Sequence, residues 1–159
     1  MHTHLSEVAA TTDRRPGRSW AQVAMFASAV DATLDRWLTD TYRVGLTEYR
    51  ALALLGAAPD KELRIAALAQ RVGLTSTSTT RLVSRLEAKS LARRDVCADD
   101  GRGVFAVIDA PGEALVREVR DPYEARLGDL LGDPAKHFPH LDPSAVAAAF
   151  TDVGALLTS

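Results

Sequence analysis

The chain has 159 residues, 47% of them hydrophobic and 25% charged, with a net charge of −2. That is about one domain's length with an ordinary globular balance, which excludes wholesale disorder. A single cysteine, Cys97, excludes an internal disulfide framework. The polar opening MHTHLSEVAATTDRRPGRS is no secretory signal, and no apolar run approaches the about 18–20 residues of a membrane span, so a cytoplasmic protein with no membrane partner is expected.

Residues 1–17 read as a flexible tail ending at Pro16 and Gly17. Ser19 and Gln22 fit a capping box. Behind it Val23, Phe26, Val30, Leu34, Trp37 and Leu38 recur at spacings of three and four, which predicts a helix to about Tyr42. A second helix is expected from an N-cap at Thr47 to Gly56. A third, short one carries Ile65, Leu68, Ala69 and Val72 and stops at Gly73.

The next stretch, TSTSTTRLVSRLEAKS, opens with six hydroxyl residues, which are weak helix formers. Even so, Thr79, Leu82, Val83 and Leu86 fall on one helical face, with Thr75 as the N-cap. The opposite face shows Ser76, Thr77, Thr80, Arg81, Ser84 and Arg85. Leu91 to Val96 and Val104 to Ile108 then read as two strands of a hairpin around a glycine-bearing loop. Asp109 and Pro111 start a fifth helix carrying Leu115, Val119, Tyr123, Leu127 and Leu130, with a kink or break expected at Pro122. HFPHLDP is a connector, and Asp142 and Pro143 open a last helix with Val146, Phe150, Val153 and Leu157.

Short helix, tight turn, helix and hairpin in that order form a helix-turn-helix with a wing. In such folds the second helix enters the major groove with its N-terminal residues at base edges. Charge agrees with this: from Leu63 to Arg94 seven basic residues face one acid, Glu87, a net +6 in a chain of net −2. Short hydroxyls allow close approach to phosphates, and arginine matches guanine edges or phosphate oxygens with two donors.

The segments LTEYRALALL, LAQRVGLTSTSTTRLVSRLEAKSL and LARRDVCADDGRGVFAVIDAPG resemble, in that order, the second helix, the helix-turn-helix and the wing of MarR-type (multiple antibiotic resistance regulator) proteins. Three positions depart from the pattern. Ser90 stands where a glycine commonly ends the recognition helix, Asp109 where a threonine commonly caps the next, and Ala106 where a larger residue is usual. The resemblance implies a mainly α fold: a winged helix-turn-helix over 46–110 with a two-stranded β-hairpin wing. Dimerisation helices at 18–44 and 111–159 would complete a single domain over 18–159.

It further implies a homodimeric, sequence-specific regulator of double-stranded DNA, a repressor released by a small aromatic or anionic effector. The DNA-binding set expected is Ser76, Thr77, Ser78, Thr80, Arg81, Ser84, Arg85, Arg94 and Arg102. Arg102 would reach the minor groove from the wing tip, and Asp100 and Gly101 would shape that tip. Trp20, Met25, Phe26, Trp37 and Tyr42 could line an effector pocket, although aromatics at helical spacing are usually core. Arg93 and Arg94 stand close enough in sequence to lower the Cys97 thiol pKa, but oxidant-sensing relatives carry their cysteine in the first helix.

The four histidines form no set with metal-ligand spacing, so neither metal nor cofactor is expected. No phosphate loop, GxSxG elbow or HExxH motif points to an enzyme. The competing reading is a winged helix used for protein contact, as an adaptor or anti-activator.

Overall fold

The computed structural model describes residues 15–96 and 103–159. The helices are α1 (Pro16–Tyr42), α2 (Leu46–Ala57), α3 (Ile65–Val72), α4 (Ser76–Ala88), α5 (Ala110–Gly132), α6 (Pro134–His137) and α7 (Pro143–Leu157). The strands are β1 (Glu62–Arg64), β2 (Ala92–Val96) and β3 (Val104–Ile108). Two compact units partition the chain, one of Ala29–Asp133 and one of the flanking segments up to Ser28 and from Pro134.

The larger unit is built on a core of Leu52, Leu55, Leu68, Leu82, Val83, Leu86, Ala106, Ile108 and Val116, all buried. These residues come from α2, α3, α4, β3 and α5, so the stripes expected on each helix meet in one cluster. Helix α3 ends where glycine punctuates it. Gly73 takes the left-handed conformation (φ 72°), and the Gly73 and Leu74 N–H groups both donate to the Ala69 carbonyl. Thr75 then caps α4, its Oγ1 accepting from the Ser78 N–H at 3.1 Å.

The wing is larger than a hairpin. β1 pairs antiparallel with β3 (Leu63 opposite Ala106), and β2 pairs with β3 on its other side (Arg94 opposite Ala106), giving the order β1-β3-β2. Ala106 is fully buried between the two. β1 has only three residues, too few for an alternation pattern to announce it.

Several starts and stops differ from expectation. α1 begins at Pro16, with proline in the first turn, so no capping box forms at Ser19; that hydroxyl donates to Asp152 instead, at 3.2 Å. α2 is N-capped at Gly45 rather than Thr47, and its Leu46 N–H is satisfied by the Asp35 carboxylate of α1 at 2.9 Å. α5 runs through Pro122 without a break. Pro122 and Glu118, whose carbonyl loses its partner there, both lie on the exposed side.

Ser90, on the glycine-favoured position after α4, is forced to φ 59° while the Leu91 N–H closes back on the Leu86 carbonyl at 3.0 Å. Asp109 has the extended backbone of an N-cap but makes no side-chain cap bond; its carboxylate binds Arg93.

In the smaller unit Phe26 is buried, with Phe138 and Phe150 packed edge-on at ring-centroid distances of 5.9 and 6.1 Å. Phe138, in the expected connector, is therefore a core residue. Asp142 caps α7 through the Ser144 N–H at 3.0 Å. Trp20, Met25, Leu156 and Leu157 stand exposed on this unit. Among the described residues no helix is long and apolar enough to cross a membrane.

Candidate nucleic-acid interface

The outward face of α4 carries the hydroxyls and cations singled out in the sequence, and the fold sorts them into two groups. Ser76, Thr77 and Arg81 are exposed, and among the described residues no hydrogen bond or ion pair engages their side chains. The others are engaged with the helix itself. Thr80 Oγ1 donates to the Ser76 carbonyl at 2.9 Å, and Ser84 Oγ to the Thr80 carbonyl at 3.0 Å. Ser78, half-buried, sits under the cap, its Oγ accepting from Thr75 Oγ1 at 3.1 Å. Thr79, Thr80 and Ser84 thus turn their hydroxyls onto carbonyls four residues back, and the Thr75 cap together with the buried Leu82, Val83 and Leu86 stripe holds the helix.

Arg94 is the most heavily engaged of the expected contacts. Its guanidinium donates to the Thr80 carbonyl at 2.8 Å, to Ser84 Oγ at 2.5 Å and to Glu87 Oε2 at 3.3 Å. Its backbone N–H donates to Glu87 Oε1 at 2.8 Å. The side chain thus straps β2 to the middle of α4. It also borders an open groove of about 390 Å³ lined by Arg64, Ser76, Thr80, Gly103 and Val104. Arg64 lies over the Phe105 ring, 5.1 Å from its centroid.

The basic stretch is therefore not one uniform patch. Arg93 pairs with Asp109, and Lys89 with Glu48 at 2.8 Å. Arg85 is more than half exposed, its Nε 4.0 Å from Glu48. Glu48 itself, on the first turn of α2, is buried. Sequence reading missed it, because nothing in LTEYRALALL marks a carboxylate aimed at a helix 41 positions later.

Asp100, Gly101, Arg102 and Cys97 lie outside the described residues, so the wing tip is not among the placed parts of the site. Of the five aromatic and methionine positions, Phe26 is core to the smaller unit, with Trp20 and Met25 at its surface. Trp37 and Tyr42 pack edge-to-face in the larger unit at 5.6 Å, with Arg126 over the Trp37 ring. Among the described residues no cluster of His, Cys, Asp and Glu is suited to hold a metal ion.

A family model described as "MarR family" matches residues 44–103, the span from the residue before Gly45 to the start of β3. Over those residues the chain is similar to the MarR family. No curated protein sequence matches the chain.

Solved MarR-family structures share the fold at low identity. Sco3205 of Streptomyces coelicolor, solved with DNA, is 23% identical with a TM-score of 0.69, over 87% of this chain and 82% of that one. AbsC of the same organism is 20% identical with a TM-score of 0.66, over 88% and 90%. MepR of Staphylococcus aureus, also solved with DNA, is 18% identical with a TM-score of 0.65, over 85% and 93%.

Proposed function

We propose that the protein is a sequence-specific, double-stranded-DNA-binding transcriptional regulator of the MarR type. The observation that carries this reading is the free N-terminal half of α4. Ser76, Thr77 and Arg81 are exposed without partners among the described residues, on the second helix of a helix-turn-helix, where base edges are read. Sco3205 and MepR, whose folds it shares, were solved with DNA, which supports the same use of the surface.

One recognition helix spans only a few base pairs. The reading therefore includes a homodimer that sets two α4 helices about 34 Å apart on a pseudo-palindromic operator. The exposed Trp20, Met25, Leu156 and Leu157 of the smaller unit are apolar side chains that a second copy would cover. Repression, and its release by a small aromatic or anionic effector, complete the proposal.

Fluorescence anisotropy against the intergenic DNA upstream of the gene, beside random duplex and across a salt series, tests it. Binding that beats random duplex by about 10³ or more, with log K falling linearly against log salt, is expected. Arg81→Ala should weaken binding to both. An absence of binding at low salt, or an Arg81→Ala variant with full affinity, would overturn the reading. Sedimentation at micromolar concentration checks the dimer.

A further inference from the structure

Three cations of α4 stand at successive intervals of four: Arg81, Arg85 and Lys89. On a helix that spacing stacks them along one side, where like charges repel. Their surroundings grade them. Arg81 has no acidic partner among the described residues. Arg85 Nε lies 4.0 Å from Glu48 Oε1. Lys89 Nζ is held at 2.8 Å by Glu48 Oε2 and at 2.9 Å by the Arg43 carbonyl. Glu48 is only 8% exposed, so solvent screens its charge less than that of a surface carboxylate. It is also closely seated: a Cβ on Gly45 would come within 3.5 Å of Glu48 Oε1 and 3.2 Å of Asp35 Oδ1. Positive charge along α4 therefore falls from its N-terminal half toward its C-terminal end.

We propose that Glu48 sets the DNA specificity of α4 by withdrawing Lys89, and in part Arg85, from indiscriminate phosphate contact. The inference rests on the DNA-binding reading above. Sequence-independent affinity grows with each cation that displaces a counterion from the duplex. Sequence reading comes from base-edge contacts made by the N-terminal residues of the helix. Glu48 lowers the first and leaves the second untouched, which raises the ratio of specific to random binding. Lys89 keeps a structural task, joining the end of α4 to the turn between α1 and α2.

The test uses the full chain as wild type, Glu48→Gln, Lys89→Met and the double variant. Each is titrated by anisotropy against a random-sequence duplex and against a duplex enriched from a randomised pool by the wild type, across a salt series. Glu48→Gln should steepen the random-duplex slope of log K on log salt by about 0.9, so that a tenfold drop in salt tightens it about eightfold more than wild type. Its preference for the enriched duplex should fall.

Lys89→Met alone should leave the random-duplex slope unchanged, and in the double variant most of the steepening should disappear. A Glu48→Gln protein with a wild-type circular dichroism spectrum and a wild-type slope overturns the proposal. So does a Lys89→Met slope shallower by about 0.9, which would place Lys89 on phosphate already. Should Glu48→Gln not fold, the Lys89→Met arm still decides. A wild type that binds neither duplex removes the DNA-binding reading itself, a result distinct from unchanged slopes.

Discussion

Adding one methyl group at either of two glycines of α5 should move stability in opposite directions. Gly112 is buried in the first turn, where a Cβ would lie 2.2 Å from the Leu91 carbonyl oxygen and 2.8 Å from Ile108 Cγ1. Ordinary carbon–oxygen contacts begin near about 3.3 Å, so the Leu91 carbonyl would have to retreat by roughly 1 Å. That carbonyl accepts the Asp109 N–H at 3.0 Å, the bond that joins the turn after α4 to the start of α5. Overpacking costs about 1–3 kcal/mol and the strained hydrogen bond about 1 more, against a gain of up to about 1 for alanine in a helix. The net loss is about 1–3 kcal/mol, a substantial part of a domain's usual 5–15 (roughly).

Gly128, on the same helix, has nothing within 4 Å of its Cβ position. Gly128→Ala should therefore gain about 0.5–1 kcal/mol. Urea and thermal unfolding followed by circular dichroism read both, with thermal midpoints expected about 3–10 °C down for Gly112→Ala and a few degrees up for Gly128→Ala. A Gly112→Ala midpoint at or above wild type would refute the clash. An equal fall in both variants would show that the helix, and not the Leu91 contact, is responsible.

Three further outcomes are expected. Ser90→Gly should stabilise by about 0.5–1 kcal/mol, because an L-residue at φ 59° is strained and glycine is not; an unchanged urea midpoint would count against that strain. Arg94→Ala should cost about 1–2 kcal/mol and Arg94→Lys nearly as much, since an ammonium cannot span the Thr80 carbonyl, Ser84 Oγ and Glu87 together; a lysine variant as stable as wild type would sink the strap. Burial first, and the neighbouring Tyr123 and Glu124 after it, raise the Tyr49 phenol above its usual pKa near 10, with Arg120 opposing. Tyr49 stays neutral in the folded protein after the unfolded chain has ionised. Its contribution is thus complete below about pH 10 and is lost as pH rises through the raised value. Urea midpoints taken across that alkaline range should decline less steeply in Tyr49→Phe, and parallel declines would contradict the assignment.

What was legible beforehand was whatever a local pattern encodes. Gly73 in its left-handed cap, Thr75 over the first turn of α4 and the Leu82, Val83, Leu86 stripe are written in neighbouring residues, and the helix-turn-helix followed from them. β1 was not legible because it exists only through β3, some 40 residues later. The α2 start was misplaced for a similar reason. Thr47 had the right chemistry for a cap, but Asp35 supplied the acceptor from another helix. In the site, position was easier to read than engagement. Arg81, Arg85 and Arg94 are alike in the sequence, and only their partners separate a free cation from a graded one and a strap.

The acceptor that Asp35 lends to Leu46 also bears on how portable this winged helix is. The stretch that resembles its relatives in sequence begins at residue 44, nine positions after that carboxylate, and stops at 103, before Asp109 and Gly112. A graft cut at those limits would leave α2 without its borrowed cap, Arg50 without Asp31, and Arg93 without Asp109. The compact unit that contains all of these partners runs from Ala29 to Asp133. Sequence similarity marks residues 44–103, and the compact unit that keeps those partners together is nearly twice as long.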